Sequence, residues 1–300
     1  MIVLQVDKVN KYYGDFRAVN DVSFSVESGK IFGLIGPNGA GKSSTMRMLM
    51  NITVPDSGEI RLFSEKWDDS MKDRIGYLPE ERGLYPKMKV LDQLQFLGEM
   101  KGMSGRDAKQ SAVKWLERLE LTEWSGKATN ELSKGMAQKI QFIGTIIHDP
   151  ELIIMDEPFS GLDPVNARFL KDTLLNLKDE GKAIILSTHL MENAEKLCED
   201  ICMINKGKVV LSGKLAAIRK EYSHNSVLLS YEGDGSVIRG FECVEQVNDF
   251  GNYMQIRLKD GCEKHTLFRE LADSELRVSK FEATDTSLED IFINIVGRKA

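Results

Sequence analysis

Short apolar runs alternate with helix-period segments over the first 220 residues. Residues 22–26, 30–35, 59–63 and 75–78 read as extended. Residues 152–155 and 183–186 are unbroken apolar runs of the kind that form strands buried on both faces. Between those two runs, residues 165–178 carry a helical pattern that opens after Asp163-Pro164, a good start signal. Residues 89–122 also read as helical, with Leu91, Leu94 and Leu97 recurring before Trp115, Leu116 and Leu119. Strand–helix alternation predicts an α/β fold around a largely parallel sheet, with a ligand at the carboxyl ends of its strands.

The pattern changes near residues 221–225. Residues 227–231 and 253–258 alternate like half-buried strands, and Gly233-Asp234-Gly235 and Asp260-Gly261 read as turns. Residues 266–271 and 287–296 read as short helices, the second with Leu288, Ile291, Phe292 and Ile295 on one face. The expected division is therefore a large domain over 1–222 and a small α+β domain over 223–300.

Composition narrows the class. The chain has 300 residues, 42% of them hydrophobic, enough for one medium and one small domain. No apolar run approaches the ~18 residues that a membrane span needs. Residues 1–5 have neither the basic region nor the apolar core of a signal peptide. The net charge of −6 falls entirely on residues 221–300, and no basic block occurs, which weighs against a nucleic-acid partner. The four cysteines, Cys198, Cys202, Cys243 and Cys262, are scattered and lack metal spacing. They are expected to be reduced thiols of a cytosolic protein.

The candidate chemistry starts at Gly36-Pro37-Asn38-Gly39-Ala40-Gly41-Lys42-Ser43, between a strand-like and a helix-like run. This fits the phosphate-loop pattern G-x-x-x-x-G-K-[ST]. Its glycines let the backbone turn and aim N–H groups inward, and the helix that follows adds the positive end of its dipole. Lys42 is expected to reach the β- and γ-phosphates, the Ser43 hydroxyl to ligate Mg²⁺, and Ser44, at the head of the helix-like run 44–50, to bind the nucleotide, with the helix opening near Gly41. Residues 152–157 form a second piece, an apolar strand ending in Asp156 and Glu157. Asp156 is placed to hold Mg²⁺ through its shell, and Glu157 to polarise an attacking water. His189 ends another strand; alone it reads as structural, but beside a phosphate site it becomes a γ-phosphate contact. Leu132-Ser133-Lys134-Gly135-Met136 opens a helix that Ser133 caps, a start suited to an anion or simply a capped helix.

In this order the pieces resemble the ATP-binding subunits of ABC transporters, over residues 2–220. The resemblance implies a P-loop NTPase of the ABC type with a helical subdomain at about 86–148, hydrolysing ATP with Mg²⁺. It turns residues 132–136 into the family's signature motif, so that Ser133 and Gly135 would act on the ATP of a second nucleotide domain in a head-to-tail homo- or heterodimer. Residues 160–163 match the family's acidic dimerisation turn, and Tyr13 its adenine-stacking aromatic, ahead of Tyr12. Two departures stand out. Position 80, where the family has the Gln of its glutamine loop, is Glu80, a candidate Mg²⁺ ligand with extra negative charge. Lys134 and Met136 replace Gly and Gln of the signature.

Residues 80–86 and 287–292 are similar to the prokaryotic export branch. There the ATPase is a separate chain on an integral membrane permease, peripheral to the inner face of the membrane, with a small accessory C-terminal domain. A non-transport ABC ATPase of translation or DNA repair is the alternative. The single phosphate loop and the absence of sustained heptads weigh against it, and the signature and the 160–163 turn weigh against a kinase-like P-loop enzyme.

Overall fold

A computed structural model describes residues 1–80, 83–222, 226–251, 253–259, 261–274, 276–284 and 287–297. Glu81, Arg82, Asp260 and residues 223–225 of the expected boundary lie outside the described residues. The chain divides into two compact units, Met1–Lys214 and Leu215–Ala300, one helix earlier than the boundary expected from sequence.

The first unit opens with a long antiparallel hairpin, β1 (Ile2–Tyr13) and β2 (Phe16–Glu27). Then follow β3 (Ile31–Ile35), α1 (Lys42–Leu49), β4 (Ser57–Leu62), β5 (Glu65–Lys66) and β6 (Ile75–Leu78). Three helices come next: α2 (Val90–Glu99), α3 (Gly105–Arg118) and α4 (Lys134–Ile146). The unit closes with β7 (Leu152–Asp156), α5 (Pro164–Asp179), β8 (Ala183–Thr188), α6 (Met191–Leu197), β9 (Asp200–Asn205) and β10 (Lys208–Lys214). One sheet has the order β10-β9-β3-β8-β7-β6 and is parallel except for β10. Its strands β3, β7 and β8 are buried at every position, which is why they read as unbroken apolar runs. A second sheet, β2-β1-β4-β5, is antiparallel and alternates instead, with Val22, Phe24 and Val26 inward on β2. The two sheets share a core that includes Leu4, Val6, Leu34, Met46, Leu62 and Ile154. Each such side chain contributes about 1.5–3 kcal/mol by leaving water.

The expected helical stretch over 89–122 resolves into two helices. Gly102 breaks it with φ +80°, and the Ser104 hydroxyl accepts a bond from the Asp107 N–H to start α3. Helices α2, α3 and α4 close over their own apolar cluster, including Val90, Leu94, Ala112, Leu116, Ile140 and Ile143.

The second unit holds α7 (Leu215–Tyr222), β11 (Ser226–Glu232), β12 (Val244–Asp249), β13 (Met254–Leu258), α8 (Lys264–Ala272), β14 (Arg277–Thr284) and α9 (Leu288–Gly297). Its sheet, ordered β12-β13-β11-β14, is wholly antiparallel. Val227, Leu229, Met254, Ile256 and Leu258 pack with Leu267 and Leu271 of α8. The expectation of four free thiols is corrected here, because Cys243 and Cys262 form a disulfide. The Lys259 N–H donates to the Cys243 carbonyl at 3.0 Å, and this draws the segments before β12 and after β13 together. The resulting Cα separation of 5.7 Å is one a disulfide spans. Cys198 and Cys202 are free and buried, and burial pushes both thiols up, Cys202 to about 12.

Candidate functional site

Three parallel strands end at one edge, and each delivers part of a cleft of about 540 Å³. This size suits a small-molecule site, typically about 300–1,000 Å³. After β3 the chain turns through residues 36–41 into α1 (Lys42–Leu49), whose N-cap is Gly41, as the sequence implied. Two positions of this turn demand glycine. A Cβ on Gly36, at φ +152°, would run into the Ile204 carbonyl oxygen. One on Gly41, at φ +109°, would run into that of Ala18. The loop is thus wedged between β9 and β2. Asn38, Gly39, Ala40, Gly41, Lys42, Ser43 and Ser44 line the cleft. Gly36 lies behind it, its N–H bonded to the Thr188 carbonyl at 3.3 Å.

Glu157 follows β7 with φ +48°, a left-handed backbone that a non-glycine residue seldom adopts. Its side chain lines the cleft and meets two partners there. The Lys42 ammonium lies 3.5 Å from Glu157 Oε1, and His189 Nδ1 lies 2.9 Å from the same oxygen. Lys42 also donates to the carbonyls of Gly36 at 2.8 Å and Pro37 at 3.3 Å. An ammonium and a carboxylate this buried are stable only as partners, since either alone would carry an uncompensated charge. Asp156 is buried beneath the cleft and does not line it; the Ser187 hydroxyl donates to its Oδ1. Glu80 lines the cleft, as do Tyr13 and His189. Ser43, Asp156 and Glu80 offer only oxygen donors, the set that suits a hard divalent cation keeping water and phosphate ligands. Among the described residues no three His, Cys, Asp or Glu side chains form a protein metal cage.

Ser133 and Gly135 are not brought to this cleft. The Ser133 hydroxyl caps α4 by accepting from the Met136 N–H at 3.3 Å, and Gly135 packs against Asn166. Residues 160–163 behave as a helix entry, with Asp163 Oδ1 accepting from the Val165 and Asn166 N–H groups, each at 3.0 Å. The cleft also includes Phe16, Ala18 and Ser160, which sequence reasoning did not assign to it. Phe16 had a signal: it is an aromatic two residues past Tyr13-Gly14, and the pair Tyr13↔Phe16 closes the hairpin. Ser187 had none, because its partner lies 31 positions away.

The fold and this cleft define a P-loop nucleotide cassette. Residues 19–160 match the family model for ABC transporter domains, and residues 213–296 match the DrrA1-3-like ATP-binding protein C-terminal domain. The chain is 41% identical to the uncharacterized ABC transporter ATP-binding protein YhaQ of Bacillus subtilis, across 98% of this chain and 99% of that one. It is 33% identical to the Nod factor export ATP-binding protein I of Paraburkholderia xenovorans, across 99% and 97%. A solved ATP-binding subunit of an ABC transporter superposes with a TM-score of 0.68 at 30% identity, covering 73% of this chain and 93% of that one. The chain belongs to the ABC transporter ATP-binding proteins: it is an ATP-binding, ATP-hydrolysing subunit, and a membrane permease is its implied partner. No helix among the described residues is long and apolar enough to cross a membrane.

Proposed function

We propose that this chain is the ATPase of an export system, working at the cytoplasmic face of the membrane on a separate permease. The first unit, Met1–Lys214, is the nucleotide-binding domain, with a helical subdomain at about 86–148, and the second unit, Leu215–Ala300, is an accessory domain. The observation that carries the reading is the meeting of Lys42, Glu157 and His189 in one cleft beside the phosphate loop. Export is supported by the likeness to an export ATP-binding protein along the whole chain, second unit included.

In this reading Tyr13 stacks on adenine, and the amides of residues 38–44 with Lys42 bind the phosphates. Ser43 and Glu80 would hold Mg²⁺, with Asp156 acting on it through its shell, and the ion would supply charge neutralisation at the phosphate oxygens. Glu157 takes the proton of the attacking water, and His189, held on Glu157, faces the γ-phosphate. Ser133 and Gly135 serve the ATP of a second nucleotide domain in a homo- or heterodimer, consistent with their absence from the chain's own cleft. Light scattering tests the sandwich. With Mg-ATP, Glu157→Gln should double in mass if the dimer is homotypic, and a monomer at saturating nucleotide would overturn the homodimer. Purification of the tagged chain from detergent-solubilised membranes should bring a multi-span protein with it. A chain recovered wholly free of membrane protein would count against transport.

A further inference from the structure

We propose that Ser187 is a positioning residue for hydrolysis: one hydroxyl orients the Asp156 carboxylate and pins the turn that aims Glu157. The inference rests on the roles given to Asp156 and Glu157 above. Strand β8 is apolar from Ala183 to Leu186, and Ser187 is fully buried. Packing alone would favour another apolar side chain there, because a buried hydroxyl must find partners. Ser187 finds two. It is the register partner of Asp156 across the parallel β7–β8 pair. Its hydroxyl donates to Asp156 Oδ1 and accepts from the Glu157 N–H at 3.1 Å. A hydroxyl has one hydrogen and two lone pairs, so it can serve both directions at once. A methyl group can serve neither.

The second bond falls where the chain enters the left-handed conformation of Glu157. That conformation swings the carboxylate off the sheet toward Lys42 and His189. Three consecutive residues at the end of β8 thus engage three parts of the site. Ser187 holds the end of β7, the Thr188 carbonyl holds the phosphate loop through the Gly36 N–H, and His189 holds the Glu157 side chain.

The test uses the whole chain as Ser187→Ala, Ser187→Thr and Ser187→Val, with Asp156→Asn as control. Thr keeps the hydroxyl and Val matches its shape without one, so the pair separates bonding from packing if Ala proves unstable. Mn²⁺ affinity in the presence of AMP-PNP is read by electron paramagnetic resonance, alongside kcat, KM for ATP and thermal melting. Partners that orient a metal ligand typically matter by about 10–100-fold in metal affinity or activity. Ser187→Ala and Ser187→Val should lose that much in Mn²⁺ affinity and kcat. Affinity for AMP-PNP without metal should hold, since Lys42 and the loop amides are untouched, whereas KM for Mg-ATP should rise with the lost metal affinity, and Ser187→Thr should recover most of the loss. Wild-type Mn²⁺ affinity and kcat in Ser187→Ala, or equal defects in Thr and Val, overturn the inference. Unchanged Mn²⁺ affinity in Asp156→Asn overturns instead the reading of Asp156 on which it rests.

Discussion

The two units solve the placement of polar groups on a sheet in opposite ways. In the first, β3, β7 and β8 run parallel and are buried on both faces, so no side chain in mid-strand is free for chemistry. All three strands end at one edge, where the phosphate loop, Asp156-Glu157 and His189 converge. In the second, the strands run antiparallel and their ends divide between two edges. One face packs Val227, Leu229, Met254 and Ile256, while Gln246, Asn248, Gln255 and Arg257 line a cleft of about 320 Å³. A parallel sheet thus concentrates its polar groups at one edge, whereas this antiparallel sheet spreads them over a face. Catalysis needs several groups within reach of one atom, and the first arrangement brings Lys42, Glu157 and His189 together in that way.

The sharpest way to break the comparison is at the end of β7. Glu157→Gln keeps the shape and removes the proposed base, and kcat should fall by about 10²–10⁴. ATP binding, measured by calorimetry, should persist. Near-normal turnover would show that the strand edge is not where the reaction is run.

Lys42→Ala comes next. It removes charge-assisted phosphate contacts worth about 1.5–3 kcal/mol each, so ATP affinity should drop by about 10–100-fold or more. It also strips the buried Glu157 of its 3.5 Å counter-ion. Wild-type ATP affinity in this variant would remove the phosphate loop from the site.

These expectations could be read early because parallel strands write themselves plainly. Residues 152–156 are apolar up to the carboxylate, and a glycine loop is legible as text. The hairpin of β1 was not legible, because its register shifts between Val6 and Val9 and again before Lys11. Each shift breaks the alternation that marks a strand. The Cys243–Cys262 pairing was hidden for another reason. Four cysteines allow three full pairings, and only the β12–β13 register brings these two segments together. Ser187 reads as the tail of an apolar run until β7 is laid beside it.

The second unit offers the complementary break. Its disulfide links residues 19 apart in sequence, and losing it typically costs about 2–4 kcal/mol. Cys243→Ser with Cys262→Ser should lower hydrogen-exchange protection in β12 and β13, while ATP affinity in the first unit stays the same. A matching loss of ATP affinity would mean that the two sheets are not separable in function.

The smallest expected effect lies at the opposite edge of the parallel sheet. Ile75 begins β6, and its carbonyl accepts from His148 Nε2 at 3.2 Å and from the Lys101 ammonium at 3.0 Å. His148 Nδ1 is buried without a hydrogen-bond partner among the described residues. Burial, followed by the Lys101 charge, lowers the His148 pKa to about 4, against weaker opposing pulls from the Ile75 carbonyl, Asp73 and Asp149. The folded chain therefore binds fewer protons at this site than the unfolded one between pH 6.5 and about 4. Stability must fall as pH falls through that window, by no more than about 1.4 kcal/mol per pH unit. The ring is not fully enclosed, so the observed slope should be smaller. The ring resonances of His148 should titrate near pH 4 rather than 6.5. His148→Gln, which keeps a donor for Ile75 but cannot charge, should flatten the melting temperature against pH and leave KM for ATP unchanged. A His148 midpoint near 6.5 would mean that the amino edge of the sheet is open to water. The contrast between a chemical edge and a purely structural one would then fail.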